Sequence, residues 1–326
     1  MNQELIEEKI NFLVKCANLT RLQKTKTGES IADFAWSAMI LTLRLCPDDL
    51  DLEKCLKYVL IHGLNQAGNR NLFVKRYRDA CPDDFLEAYK DYARIIGTNT
   101  PNRECLFVFE MFNLAEAGRK IILAENDPNQ DIFLVKKELF KCAPYSISAN
   151  SYKKPSVMKT LNLIELIKAK KIAFDCKKEG AEPNFGEHAF ILALACWFFE
   201  GSMADIGMAA IQALGRIEPG NIEMPDDVEY RQALERQHLG IFLDKSEMPD
   251  GEKIIWDFSR YQNKNLNDFF LVRNLNEIVP VIFALGYNFL QVSSKCQDIL
   301  YDKAFERTSI EFRKNYNILG TLKEKV

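Results

Sequence analysis

Imidazole is scarce in this chain: His62, His188 and His238 are its only histidines. A neutral imidazole can ligate a metal ion or act as a general base near neutral pH. Three rings spread over 326 residues do not make a His-rich metal centre. No spacing of Ser, His and Asp marks a nucleophilic triad. The chain holds no Walker A loop and no GxGxxG, GxSxG or HExxH pattern, which removes the commonest phosphate, dinucleotide, acyl-transfer and zincin readings. His188 directly follows Glu187, so one imidazole stands beside a carboxylate. His62 closes the apolar run Leu60-Ile61 and is expected to be a hydrogen-bonded pocket ring. His238 lies in the polar stretch Arg236-Gln237-His238 and is expected on a solvated helix face. The acidic pairs Asp48-Asp49, Asp83-Asp84 and Asp226-Asp227 each follow a proline, which predicts helix N-capping rather than catalysis.

The elements that must position these residues are helical. Ile6, Ile10, Leu13 and Cys16 recur at steps of three and four with Glu and Lys between them, and Leu52, Leu56, Val59 and Leu60 repeat the pattern. Alternating apolar runs bounded by turns are scarce, so the fold class is all-α. The apolar fraction is 47% and the charged fraction 27%, a balance that buries a core rather than leaving the chain disordered. Formal net charge is −3 and no long basic block occurs; Lys168, Lys170 and Lys171 fall in a helical pattern and read as a solvated face. Nucleic-acid binding by bulk electrostatics is therefore not expected. The nine cysteines form no CxxC pair, which points to reduced, buried thiols and a cytoplasmic protein. The acidic amphipathic start MNQELIEEKI is no signal peptide, and the longest apolar run, Ala189 to Phe199, is too short to span a bilayer.

The turn-rich stretch from Ala143-Pro144 to Lys154-Pro155 divides the chain. It implies a first domain over 1–145, a linker over 146–155 and a second domain over 156–326. The same order of helices occurs on both sides. An amphipathic helix is followed by a Glu-containing turn into a strongly apolar helix, ESIADFAWSAMILTLRL and then FGEHAFILALACWFF. Further on, CLFVFEMFNLAEAG is matched by FFLVRNLNEIVPVIFALG. Phe34 pairs with His188 and His62 with Gln212 at a near-constant offset of about 150 residues, the signature of a duplicated domain.

The motif Glu29-Ser30-Ile31-Ala32-Asp33-Phe34-Ala35-Trp36, followed by Leu60-Ile61-His62-Gly63-Leu64, resembles the HD-domain metal-dependent phosphohydrolases, and their nucleotidase-like members most. In that family a first His, a His-Asp pair and a late Asp hold a divalent ion that activates water against a phosphate ester. The resemblance implies two tandem helical bundles, packed as a pseudo-dimer. It also implies that most ligands are gone. In the first half the first His position is Phe34, the pair reads His62-Gly63, the acid beyond it is Gln66, and the late Asp falls on Asn113. In the second half His188 keeps the first position behind Glu187, the pair reads Gln212-Ala213, the acid beyond is Arg216, and the late Asp falls on Asn276. One imidazole without carboxylates does not hold a divalent ion well.

The expectation is a non-catalytic binding or regulatory protein with no metal and no cofactor. Its former cleft, marked by Phe34, His62, Asn113, Glu187, His188, Gln212, Arg216 and Asn276, would take a nucleotide or phosphorylated small molecule, with Arg216 the phosphate contact. The first alternative is a metal-dependent phosphohydrolase whose ion is held by replacement ligands such as Glu116, Glu187 or Glu218. The second is a scaffold whose partner is another protein. Neither a nucleic acid nor a membrane is expected as a partner.

Overall fold

The structure is a computed structural model and describes residues 3–47, 49–68, 77–129, 131, 155–169, 183–211 and 270–293. These residues are all-α, with no strand among them and one isolated antiparallel bridge, Lys24 to Ser30, closing the turn before the second helix. The helices are α1 (Gln3–Leu22), α2 (Ile31–Leu45), α3 (Leu52–Gln66), α4 (Asp83–Thr98), α5 (Arg103–Glu125), α6 (Pro155–Lys168), α7 (Phe185–Phe198), α8 (Met203–Ile211) and α9 (Phe270–Ser293). None of the helices described is long and apolar enough to cross a membrane.

Short polar side chains set where the helices begin. Ser30 caps α2 by accepting from the Asp33 amide, Asp51 caps α3 through the Lys54 amide, and Asn102 caps α5 through the Cys105 amide. Asn184 and Glu187 form a reciprocal capping box at the start of α7. The acidic pairs behave differently from the sequence expectation. Asp83 and Asp84 lie in the first turn of α4 behind Pro82, which makes no side-chain cap. Asp84 instead accepts from Trp197 Nε1 at 2.8 Å and from Lys57 at 2.8 Å, tying α4 to α7 and α3. Asp49 pairs with Arg103, and the cap of α3 is Asp51, further along the loop. A carboxylate in a first turn gains from the helix dipole without capping, so the proline alone does not locate the cap. Asp48 and the pair Asp226-Asp227 lie outside the described residues.

The hydrophobic residues form one core that draws on every described helix. In α2 every residue from Ile31 to Leu43 is buried, and in α7 every residue from Gly186 to Phe198. These are the two strongly apolar segments, and they pack against each other at the centre. Phe12 of α1 stacks on Phe198 of α7 with ring centroids 4.3 Å apart, and Phe85 of α4 meets the same ring edge-on at 4.9 Å. Trp36 is fully buried and donates from Nε1 to the Ala210 carbonyl at 2.8 Å. Each large side chain removed from water in this way contributes roughly 1.5–3 kcal/mol. The six described cysteines are free and buried.

Candidate functional site

Of the expected cleft residues, the first half brings Phe34 and His62 together around Phe112. The Phe34 ring meets Phe112 edge-on at 5.0 Å, and the His62 ring tilts against Phe112 at 4.3 Å. Phe109 and Tyr92 add further faces at 5.3 and 6.1 Å. Asn113, beside Phe112 on α5, is exposed. Both ring nitrogens of His62 are engaged. Nδ1 hydrogen-bonds Tyr92 Oη, and Gln66, one turn on, presents its amide nitrogen 2.6 Å from Nε2. Both nitrogens therefore face side chains of the protein.

The position after His62, Gly63, where the resemblance puts an Asp, is closed by packing. A Cβ at Gly63 would lie 2.7 Å from Ala35 Cβ and 3.2 Å from the Phe190 ring. α3 approaches α2 and α7 this closely because residue 63 has no side chain. The substitution Gly63→Asp is therefore expected to lower stability by more than 2 kcal/mol, from overpacking plus a buried charge, without creating a metal site. Urea unfolding with and without Mn would show it; a Mn-dependent gain in the variant would contradict the packing argument.

The second half is described in part. His188 is 3% exposed, and its Nε2 donates to the Asn276 backbone carbonyl at 3.4 Å, so the structure joins two of the expected residues across α7 and α9. The Asn276 side chain is half-buried. Gln212, Arg216, Glu218 and His238 lie outside the described residues. Among the described residues no group of three or more His, Cys, Asp and Glu is placed to hold a metal ion.

The densest polar chemistry lies at the starts of α2 and α7. Asp33 Oδ2 accepts from Ser30 Oγ at 2.9 Å and from Asn184 Nδ2 at 2.9 Å, so the cap residue of α7 holds the first turn of α2. Asp33 Oδ1 is buried without a hydrogen-bond partner, and a Cβ at Gly186 would lie 2.7 Å from it. Burial, with the nearby Glu187 charge, pushes the Asp33 carboxyl up to about 6 despite Lys168 and its two hydrogen bonds. Glu187 is itself buried and paired with Arg21 of α1 at 3.4 Å.

Below this junction, Lys168 of α6 binds Glu29 at 2.6 Å and Glu165 at 2.9 Å, and Arg119 of α5 joins Glu165 and approaches Glu29 at 3.8 Å. Burial opposes the Lys168 charge, but Glu29, Glu165 and Asp33 outweigh it and raise its pKa. Burial likewise raises Glu29, with Lys168 and Arg119 pulling the other way. Lys168, expected on a solvated face, is instead buried in this cluster. The spacings Ser30-x-x-Asp33 and Asn184-x-x-Glu187 were a legible signal of two cap motifs. That the caps meet each other was not, since the meeting crosses some 150 residues.

No family model, curated protein or solved structure matches the chain.

An open groove of about 810 Å³ runs along α4, lined by Arg78, Lys90, Arg94, Asp83, Glu87 and Asp91 among others. Within it Asp91 accepts from Tyr58 and from Arg94. It presents no convergent set of one sign.

Proposed function

We propose that this chain is an HD-domain-like pseudoenzyme: two degenerate helical repeats, over 1–145 and 156–326, that act by binding or regulation rather than by hydrolysis. The observation that carries this reading is the state of the first-half site. Phenylalanine stands at the first ligand position, Gly63 leaves no room for a carboxylate, and the one remaining imidazole has both ring nitrogens engaged, by Tyr92 and Gln66. Carboxylates are needed both to hold a divalent ion and to orient its water, and the positions expected to supply them beside His62 read Gly63 and Gln66. The second-half counterpart, His188, donates to a backbone carbonyl within the core. The ligand we favour is a nucleotide or phosphorylated small molecule held in the second half near Arg216, the residue expected to contact phosphate.

The test is elemental analysis of protein purified without a metal-binding tag, followed by assay of nucleoside monophosphate hydrolysis with added Mn or Co. The expected outcome is no stoichiometric metal and no turnover. One equivalent of Mn, Fe, Co or Zn, with hydrolysis, would instead establish the active phosphohydrolase and would mean that replacement carboxylates such as Glu116, Glu187 or Glu218 complete a site. Binding of a labelled nucleotide that is unchanged by Arg216→Ala would remove Arg216 from the proposal.

A further inference from the structure

We infer that the chain is a covalent pseudo-dimer in which each half seats an aromatic side chain on the other, Trp36 of α2 on α8 and Phe190 of α7 on α3. The inference rests on the correspondence between the halves and stands whether or not catalysis has been lost.

The correspondence read from the sequence sets α1 against α6, α2 against α7, α3 against α8 and α5 against α9. Contacts within each half agree. α2 packs on α3 and α5, as α7 packs on α8 and α9, and α3 meets α5 as α8 meets α9. Phe34 of α2 touches Phe112 of α5, and its counterpart His188 of α7 touches Asn276 of α9.

Contacts between the halves also come in reciprocal pairs, as a twofold axis requires. α1 packs on α9, with Arg21 5.9 Å over the Phe283 ring, and α6 packs on α5, where a Cβ at Gly118 would lie 2.5 Å from Leu161. Arg21 near the end of α1 pairs with Glu187 at the α7 cap, and Lys168 at the end of α6 pairs with Glu29 at the α2 cap. α2 and α7, which are each other's counterparts under such an axis, meet through Asp33 and Asn184.

The aromatic plugs form one more such pair. Trp36 of α2 reaches α8 and bonds the Ala210 carbonyl at 2.8 Å. Phe190 of α7, the counterpart of Trp36, lays its ring against Gly63 of α3. The partner that each half's apolar face fits is therefore a second helical unit of the same order. Glycines at 118 and 186 let that unit approach to contact, because a Cβ at either would clash with a side chain of the other half, and at Gly63 it would crowd the Phe190 ring at 3.2 Å.

The test supplies the whole chain in two co-expressed pieces, 1–150 and 151–326, so that every residue is present in the assembled complex. The expected result is a one-to-one complex that elutes with the intact chain. Trp36→Ala and Phe190→Ala, one in each piece, should each raise the dissociation constant at least tenfold. Pieces that purify apart as separate soluble monomers, or that fail to assemble while the intact chain folds, would overturn the inference. So would a response to only one of the two substitutions. Should the variants not fold, calorimetry of the unaltered intact chain decides: one cooperative transition is expected, and two separated transitions would overturn it.

Discussion

Asp33→Asn is expected to stabilise the protein at pH 7 and to flatten its response to mild acid. Asp33 is buried in the junction of α2 and α7, with Oδ1 unpartnered and Glu187 nearby. Its carboxyl is raised to about 6 in the folded chain, against about 3.9 in an unfolded one. An acid whose folded value is raised binds more protons folded than unfolded between those two values. Stability from this group is therefore fully present below the unfolded value and is lost as pH rises through about 6. At pH 7 the ionised, desolvated carboxylate costs on the order of 2–3 kcal/mol. Asparagine keeps an acceptor for Ser30 and Asn184 and carries no charge. Urea midpoints measured from pH 7.5 down to pH 5 should rise for the unaltered chain and change much less for the variant. A parallel rise in both would show that the proton is taken up elsewhere, with Glu29 the next group to test, since burial raises it too.

The largest loss is expected from Trp36→Ala, about 3–5 kcal/mol, the usual cost of emptying a large buried aromatic site. Trp36 is fully buried where α2, α7 and α8 converge, and Gly186 stands so close that a Cβ there would lie 2.9 Å from its ring. Trp36→Phe separates packing from hydrogen bonding. It retains most of the ring and removes the donor to Ala210, for an expected loss of about 1–2 kcal/mol. Equilibrium unfolding of both variants checks this. Equal losses would assign the effect to the hydrogen bond; a loss under 1 kcal/mol for alanine would mean that the helices collapse around the space.

What could be read along the chain follows from what is local. The all-α class and the buried run of α7 were legible because a helix is specified by periodicity and composition within a few turns. The cap spacings were legible for the same reason, since Ser30 and Asn184 reach only as far as their own first turns. The motif positions Phe34, His62 and Gly63 could be named from sequence, and their neighbours could not. Tyr92 lies on a different helix from His62, and Phe190 comes from the other half of the chain.

The sequence by itself determined the helical class and the capped starts of α2 and α7, because each is fixed by residue type or by spacing within one helix. Only the tertiary structure decided that Gly63 is closed in by Ala35 and the Phe190 ring, that both ring nitrogens of His62 are engaged, and that Lys168 is buried with Glu29. It also decided that the two caps interlock through Asp33 and Asn184. Those outcomes depend on which helix faces meet, and the free energy that selects them comes from burying apolar surface across distant segments, a quantity that no local spacing encodes.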